Sequence, residues 1–191
     1  MDPLTTFLKR HRGRHLVEVK SRIKDAELTR GFVVDFSDSL VLFHVLDMDT
    51  FRLNGYNVLR SDDISHFGAF DKQRFWQNRA ISHFNIAPVR PSEISLSSIP
   101  DLIKSIAKQY PLIVFHPERK KPDICYVGRL LTTSGATFII DDLDSTAAWT
   151  GPRRLKFDDF TRIGFGGGYE NALAATAPQP PKKKLSIKIN V

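Results

Sequence analysis

The sequence predicts a mainly β protein with helices, an α+β chain of two small, strongly bent, five-stranded antiparallel barrels joined by a helical linker. Three observations predict it. Short apolar runs of strand length alternate with turn residues over 15–70 and again over 111–177. Those two stretches share an internal repeat. The stretch between them, 71–110, carries its apolar residues at helical spacing.

The repeat is the most specific of the three. Gly31 opens the run GFVVDFSDSLVL and Gly128 opens GRLLTTSGATFI. Each run reaches a second glycine, Gly55 or Gly151. Each ends on two aspartates, an apolar residue and a hydroxyl: Asp62-Asp63-Ile64-Ser65 and Asp158-Asp159-Phe160-Thr161. From first glycine to first aspartate is 31 residues in one copy and 30 in the other. Mid-strand glycine suits sharp bending. A unit of about sixty residues with five short strands suits a small barrel.

Taken in order, residues 1–14 form a basic arm or helix. His15 to Val19 alternates as a strand, and Ala26 to Phe36 is a second. Ser37-Asp38-Ser39 is a turn, followed by the apolar strand Leu40 to Leu46. Asn54-Gly55 is the strongest short hairpin signal, with strands on either side of it. Phe75, Trp76, Arg79 and Ala80 share a helical face. Ser98 caps a second helix with Pro100 in its first turn and Leu102, Ile103, Ile106 and Ala107 on one stripe. Tyr110 to Phe115, Ile124 to Thr133 and Ala136 to Ile140 are strands. Trp149 to Pro152 is a turn, and Arg154 to Phe157 and Phe160 to Ile163 complete the second unit. A short helix spans Tyr169 to Ala177, and 178–191 has the composition of a flexible basic tail.

Charge is uneven along the chain. The total is +7; the first 24 residues carry +5 and the segment from Lys182 carries +4, which leaves the body at −2. Clustered cations can meet a nucleic-acid backbone. The candidate contacts are Lys9, Arg10, Arg12, Arg14, Lys20 and Arg22, with Lys182, Lys183 and Lys184 in the tail. Phe32, Tyr56 and Trp149 are candidate stacking platforms for bases. The bland alternative is that the cations serve solubility.

The catalytic signals are weak. Asp62-Asp63 and Asp158-Asp159 could hold a metal or do acid–base work, but aspartate also caps turns and no third ligand recurs in both copies. His11, His15, His44, His66, His83 and His116 show no helical metal spacing. Cys125, the single cysteine, lies in an apolar run and is expected in the core. Gly164 to Gly168 precedes a helix like a phosphate cradle, but lacks a Lys-Ser/Thr continuation and suits close helix packing. The expectation is a non-enzymatic protein without metal or cofactor. One cysteine, no apolar run of membrane length and no signal-peptide order of charges predict a cytoplasmic protein without a membrane partner.

The first unit resembles the Sm-like (LSm) family. Gly31, Val33, Phe36, Leu40 and Leu42 fall on structural positions of its first motif, and Leu53 to Val58 run along its second. The chain as a whole also resembles a bacterial tandem-repeat group. It carries Gly55-Tyr56-Asn57-Val58-Leu59-Arg60 early, then Cys125 to Arg129 and Asp159 to Leu173 late. The Sm-like resemblance implies the barrel fold and association through edge strands. It does not carry over the base pocket: Val41 and Asn54 stand where that pocket has Asn and Arg, and the second copy has Phe138 and Thr150. The expected function is therefore a binding or assembly protein that associates with RNA through backbone charge. The alternative is a protein–protein interaction module, working by self-association or with another protein.

Overall fold

The computed structural model describes residues 2–23, 26–70, 72 and 75–180. The first half opens with helix α1 (Pro3–His11), whose N-terminus is capped by the Asp2 carboxylate accepting from Thr5 N–H. Strands β1 (Val17–Ser21), β2 (Thr29–Phe36), β3 (Leu40–Asp47), β4 (Arg52–Arg60) and β5 (Ile64–Ala69) follow, then helix α2 (Trp76–His83). The second half repeats that plan. Helix α3 (Ile99–Gln109) precedes β6 (Ile113–His116), β7 (Tyr126–Ser134), β8 (Thr137–Leu143), β9 (Trp149–Lys156) and β10 (Arg162–Phe165), and α4 (Gly168–Thr176) ends it.

All ten strands belong to one antiparallel sheet in the order β5-β1-β2-β3-β4-β10-β6-β7-β8-β9. Strand order within each half is the same, with the fifth strand outermost beside the first. The repeat extends to register. Gly31 sits opposite Val17, and Gly128 opposite Ile113. A bulge follows each glycine, between Val33 and Asp35 and between Leu130 and Thr132. Both glycines are dictated by crowding: a Cβ on Gly31 would collide with the His44 carbonyl oxygen, and one on Gly128 with that of Asp141.

The expectation of two closed barrels with a helical linker is corrected by this topology. Neither half closes on itself. β5 pairs with β1 and β10 with β6, but the outer edge of β4 takes β10 instead of its own β5. The stretch 71–110 is not a linker either. α2 ends the first half and α3 opens the second. Leu102, Ile103 and Ile106 of α3 are fully buried in one core with Val34, Leu42 and Val58 of the first half and Phe115, Phe138 and Phe165 of the second. The apolar stripe of α3 faces the shared core. Local pattern specifies strands and faces, but not which edge a strand offers to which partner.

Two turn assignments are corrected as well. Asn54-Gly55 lies inside β4, and the chain reverses earlier, where Phe51 takes φ 52°. Trp149 to Pro152 belongs to β9. Gly55 has φ 67° and packs against Gly167, so the dipeptide marks a close approach to the loop before α4 and not a hairpin. Among the described residues no helix is long and apolar enough to cross a membrane.

Candidate interface at the seam and the open edges

The seam between the halves is a four-residue ladder, Leu59 to Tyr56 of β4 against Arg162 to Phe165 of β10. At one end Arg60 locks it. Its Nη2 donates to the Phe157 carbonyl and its Nε to that of Phe160, both at 2.9 Å, with the Asp158 carboxylate 3.9 Å away. Beside it, the 117–123 loop is anchored on both Asp-Asp turns. Arg119 donates to Asp63 and Lys120 to Asp159 at 2.6 Å. These aspartates sit in two short 3₁₀ turns, Ser61–Asp63 and Phe157–Asp159. Their observed role is to hold cations of that loop, which corrects the turn-cap reading of Asp63 and Asp159.

A buried polar cluster lies on β10. Arg162 reaches Glu27 of the first half at 2.6 Å and Glu118 at 3.2 Å; Glu118 in turn accepts from the Thr161 hydroxyl at 2.6 Å. The Arg162 guanidinium also lies 3.3 Å from Nδ1 of His116. An arginine can only donate, so that nitrogen accepts and the imidazole is neutral. Burial, with the Arg162 charge second, pushes the His116 pKa down to about 3 from 6.5. Among the described residues no group of three or more His, Cys, Asp or Glu could hold a metal ion.

The two outer strands, β5 and β9, each have one side without a partner strand among the described residues. Register makes β9 the counterpart of β4: Leu40 faces Arg60 as Thr137 faces Lys156. Lys156 therefore occupies the place of Arg60, and Asp62 that of Asp158. A groove of about 360 Å³ lies between β9 and the 117–121 stretch. Its lining includes Lys120, Lys121, Arg153, Arg154 and Lys156 against a single acid, Asp159. Arg153, Arg154 and Lys156 are all exposed; Arg153 is tied to Asp142 at 2.7 Å and lies over the Tyr126 ring.

The candidate contacts read from the sequence are not brought together. Arg12 is bound to Asp35, which also takes Arg90, near the Phe36 end of β2. Lys20 and Arg22 lie beyond Thr29, six residues or about 20 Å away along that strand. Lys9, Arg10 and Arg14 are exposed on and after α1. Lys182, Lys183 and Lys184 lie outside the described residues. Of the aromatic candidates, Phe32 is buried and Tyr56 is stacked between His44 and Phe165. Trp149 donates its indole N–H to the Pro178 carbonyl. Cys125 is exposed at the start of β7 rather than in the core. The Gly164 to Gly168 run spans the end of β10, a two-residue turn and the start of α4, where the Asn54 side-chain oxygen accepts from Gly168 N–H at 2.7 Å. The open cationic edge was missed. Its signals were ERKKPD at 118–123 and PRRLK at 152–156, of which the first looks like an ordinary charged loop and the second like a turn and a short strand.

Fold and seam together define a β-sheet protein of two joined α-β-α halves with two open edges. No family model, curated protein or solved structure matches the chain.

The neutral state of His116 sets the sign of a pH dependence. Unfolded, the ring takes a proton below about 6.5; folded, it resists until about 3. Across that window the unfolded chain binds more protons, so stability falls as pH is lowered. His44, also lowered by burial, adds the same sign. Chemical denaturation of a His116→Gln variant is expected to show a shallower loss of unfolding free energy through that window than the parent. Parallel curves would remove His116 from the account.

Proposed function

We propose that this is a non-catalytic assembly protein whose copies join head to tail, β9 of one chain taking β5 of the next in the way that β4 takes β10 within the chain. One observation carries the reading: the internal seam is made of strands whose counterparts are both left open. Two such unlike edges give a heterologous contact, which produces a ring when the rotation closes and a filament when it does not. An exposed edge is a template for strand addition. Charge supports it, since Arg154 and Lys156 flank β9 and the exposed Asp62 precedes β5. Arg153 to Leu155 would face Gly68 to His66. Pro152, in the place of Tyr56, has no N–H, which shortens this ladder relative to the internal one.

Sedimentation velocity over a concentration series tests it. Species above the 21.7 kDa chain are expected to grow with concentration. Lys156→Glu should return them to single chains, and Lys156→Glu with Asp62→Lys should restore them. A protein that stays a single chain at every concentration, or ignores Lys156→Glu, would contradict the reading.

The cation-lined groove favours a second reading, RNA held through its backbone. Five cations in one groove, of which Lys120 and Arg153 are ion-paired with Asp159 and Asp142, match a phosphate backbone better than the scattered N-terminal cations do. Fluorescence anisotropy with a labelled single-stranded RNA at low salt distinguishes it. Binding should weaken steeply with salt, and Lys121→Ala or Arg154→Ala should each reduce the salt slope by about 1. No binding at low salt sinks this reading and leaves assembly standing.

A further inference from the structure

We propose that the cavity between β7, the end of α3 and the C-terminal end of α4 is a binding site for a small, uncharged, planar aromatic molecule. The two halves differ here in a way their shared register exposes. In the first half, the outer face of the sheet is filled: Leu16, Phe32 and Leu46 are buried under Ile81 of α2 and the following Ile86, with Leu53 packed alongside. The corresponding residues of the second half are Leu112, Arg129, Leu143 and Trp149. The helix that ends this half, α4, covers only part of this set: Leu112 and Leu143 share a buried cluster with its Leu173. Glu18 and Arg30, an ion pair at 2.6 Å in the first half, are replaced by Val114 and Val127, which join the same cluster.

Toward Arg129 and Trp149 α4 and its C-cap present the small side chains of Ala174 and Ala177. A cavity of about 500 Å³ remains, within the usual size of small-molecule sites. The space that isoleucines fill in one half is open in the other.

Its chemistry selects the ligand. Flat surfaces line it: the Trp149 indole, the Tyr110 ring and the Arg129 guanidinium, which lies 5.3 Å from the indole centroid. Leu112 and Leu130 provide apolar walls. Planar rings gain most from such surfaces through stacking and burial. The one charge in the lining is compensated, because Arg129 is held by the buried Asp141 at 2.8 Å. An ionised ligand would lose hydration there without meeting an uncompensated counter-charge. The Trp149 N–H is already used by Pro178 and the Arg129 guanidinium lies over the ring, so the indole offers a ligand its remaining apolar surface rather than its donor.

The test uses the full chain, 2-naphthol as the uncharged probe and 2-naphthoate as its anionic analogue, followed by NMR of leucine methyls. Saturable binding of 2-naphthol is expected, with shifts at Leu112 and Leu130 and an affinity at least about tenfold above that of 2-naphthoate. Ala174→Leu should lower that affinity about tenfold by filling the cavity. Ala175→Leu, on the exposed side of α4, should leave it unchanged. If Ala174→Leu does not fold, Ala177→Leu takes its place. Three results would overturn the assignment: no saturable binding, equal affinity in the cavity-filled variant, or tighter binding of 2-naphthoate. So would a cavity-filled variant that alters sedimentation but not probe binding, since that would make another chain the occupant.

Discussion

A strand at a sheet edge carries a row of N–H and C=O groups that need partners, and β4 satisfies its outer row with β10. The rest of the architecture depends on that ladder. It draws the two halves into one sheet and brings α3 over residues of both. It also places the first half's Glu27 beside Arg162. Arg60 reinforces it with two charged hydrogen bonds to carbonyls, an interaction class worth about 1.5–3 kcal/mol each.

The polar groups along the seam explain why the halves meet in one register. Arg162 is nearly buried, and its two terminal nitrogens meet partners only where Glu27, Glu118 and His116 converge on them. A slip of one residue would turn Arg162 to the other face and leave the buried Glu118 without its counter-charge, a loss of several kcal/mol. The loop 117–123 adds a second constraint by gripping one aspartate from each half. Burial of apolar surface drives the halves together, while these charges fix how they are aligned.

Much of the fold was legible in the residues. Gly31, Gly128 and the aspartate pairs fall at corresponding places in both halves, because bending glycines and tight turns are local requirements. Gly55 and Gly151, both at positive φ, belong to the same set. What was not legible is edge partnership. Nothing local in Val58 or Ile163 says that they face each other across about one hundred residues. The helices of 71–110 were readable by period, but not their division between the halves. The candidate interface was hidden for a related reason. Lys120 and Lys121 are separated from Arg153, Arg154 and Lys156 by two strands of sequence, and only the sheet makes them neighbours. Basic residues clustered in sequence, such as Arg12 and Lys20, end far apart.

The weld between the halves is tested most directly by native-state hydrogen exchange with increasing denaturant. If β4 and β10 make one folding unit, amides of β3 in the first half and β8 in the second will converge on the same opening free energy as those of Val58 and Ile163. Exchange of β6 to β10 in a separate, lower-energy opening that leaves β1 to β4 protected would show two independent halves and contradict the account.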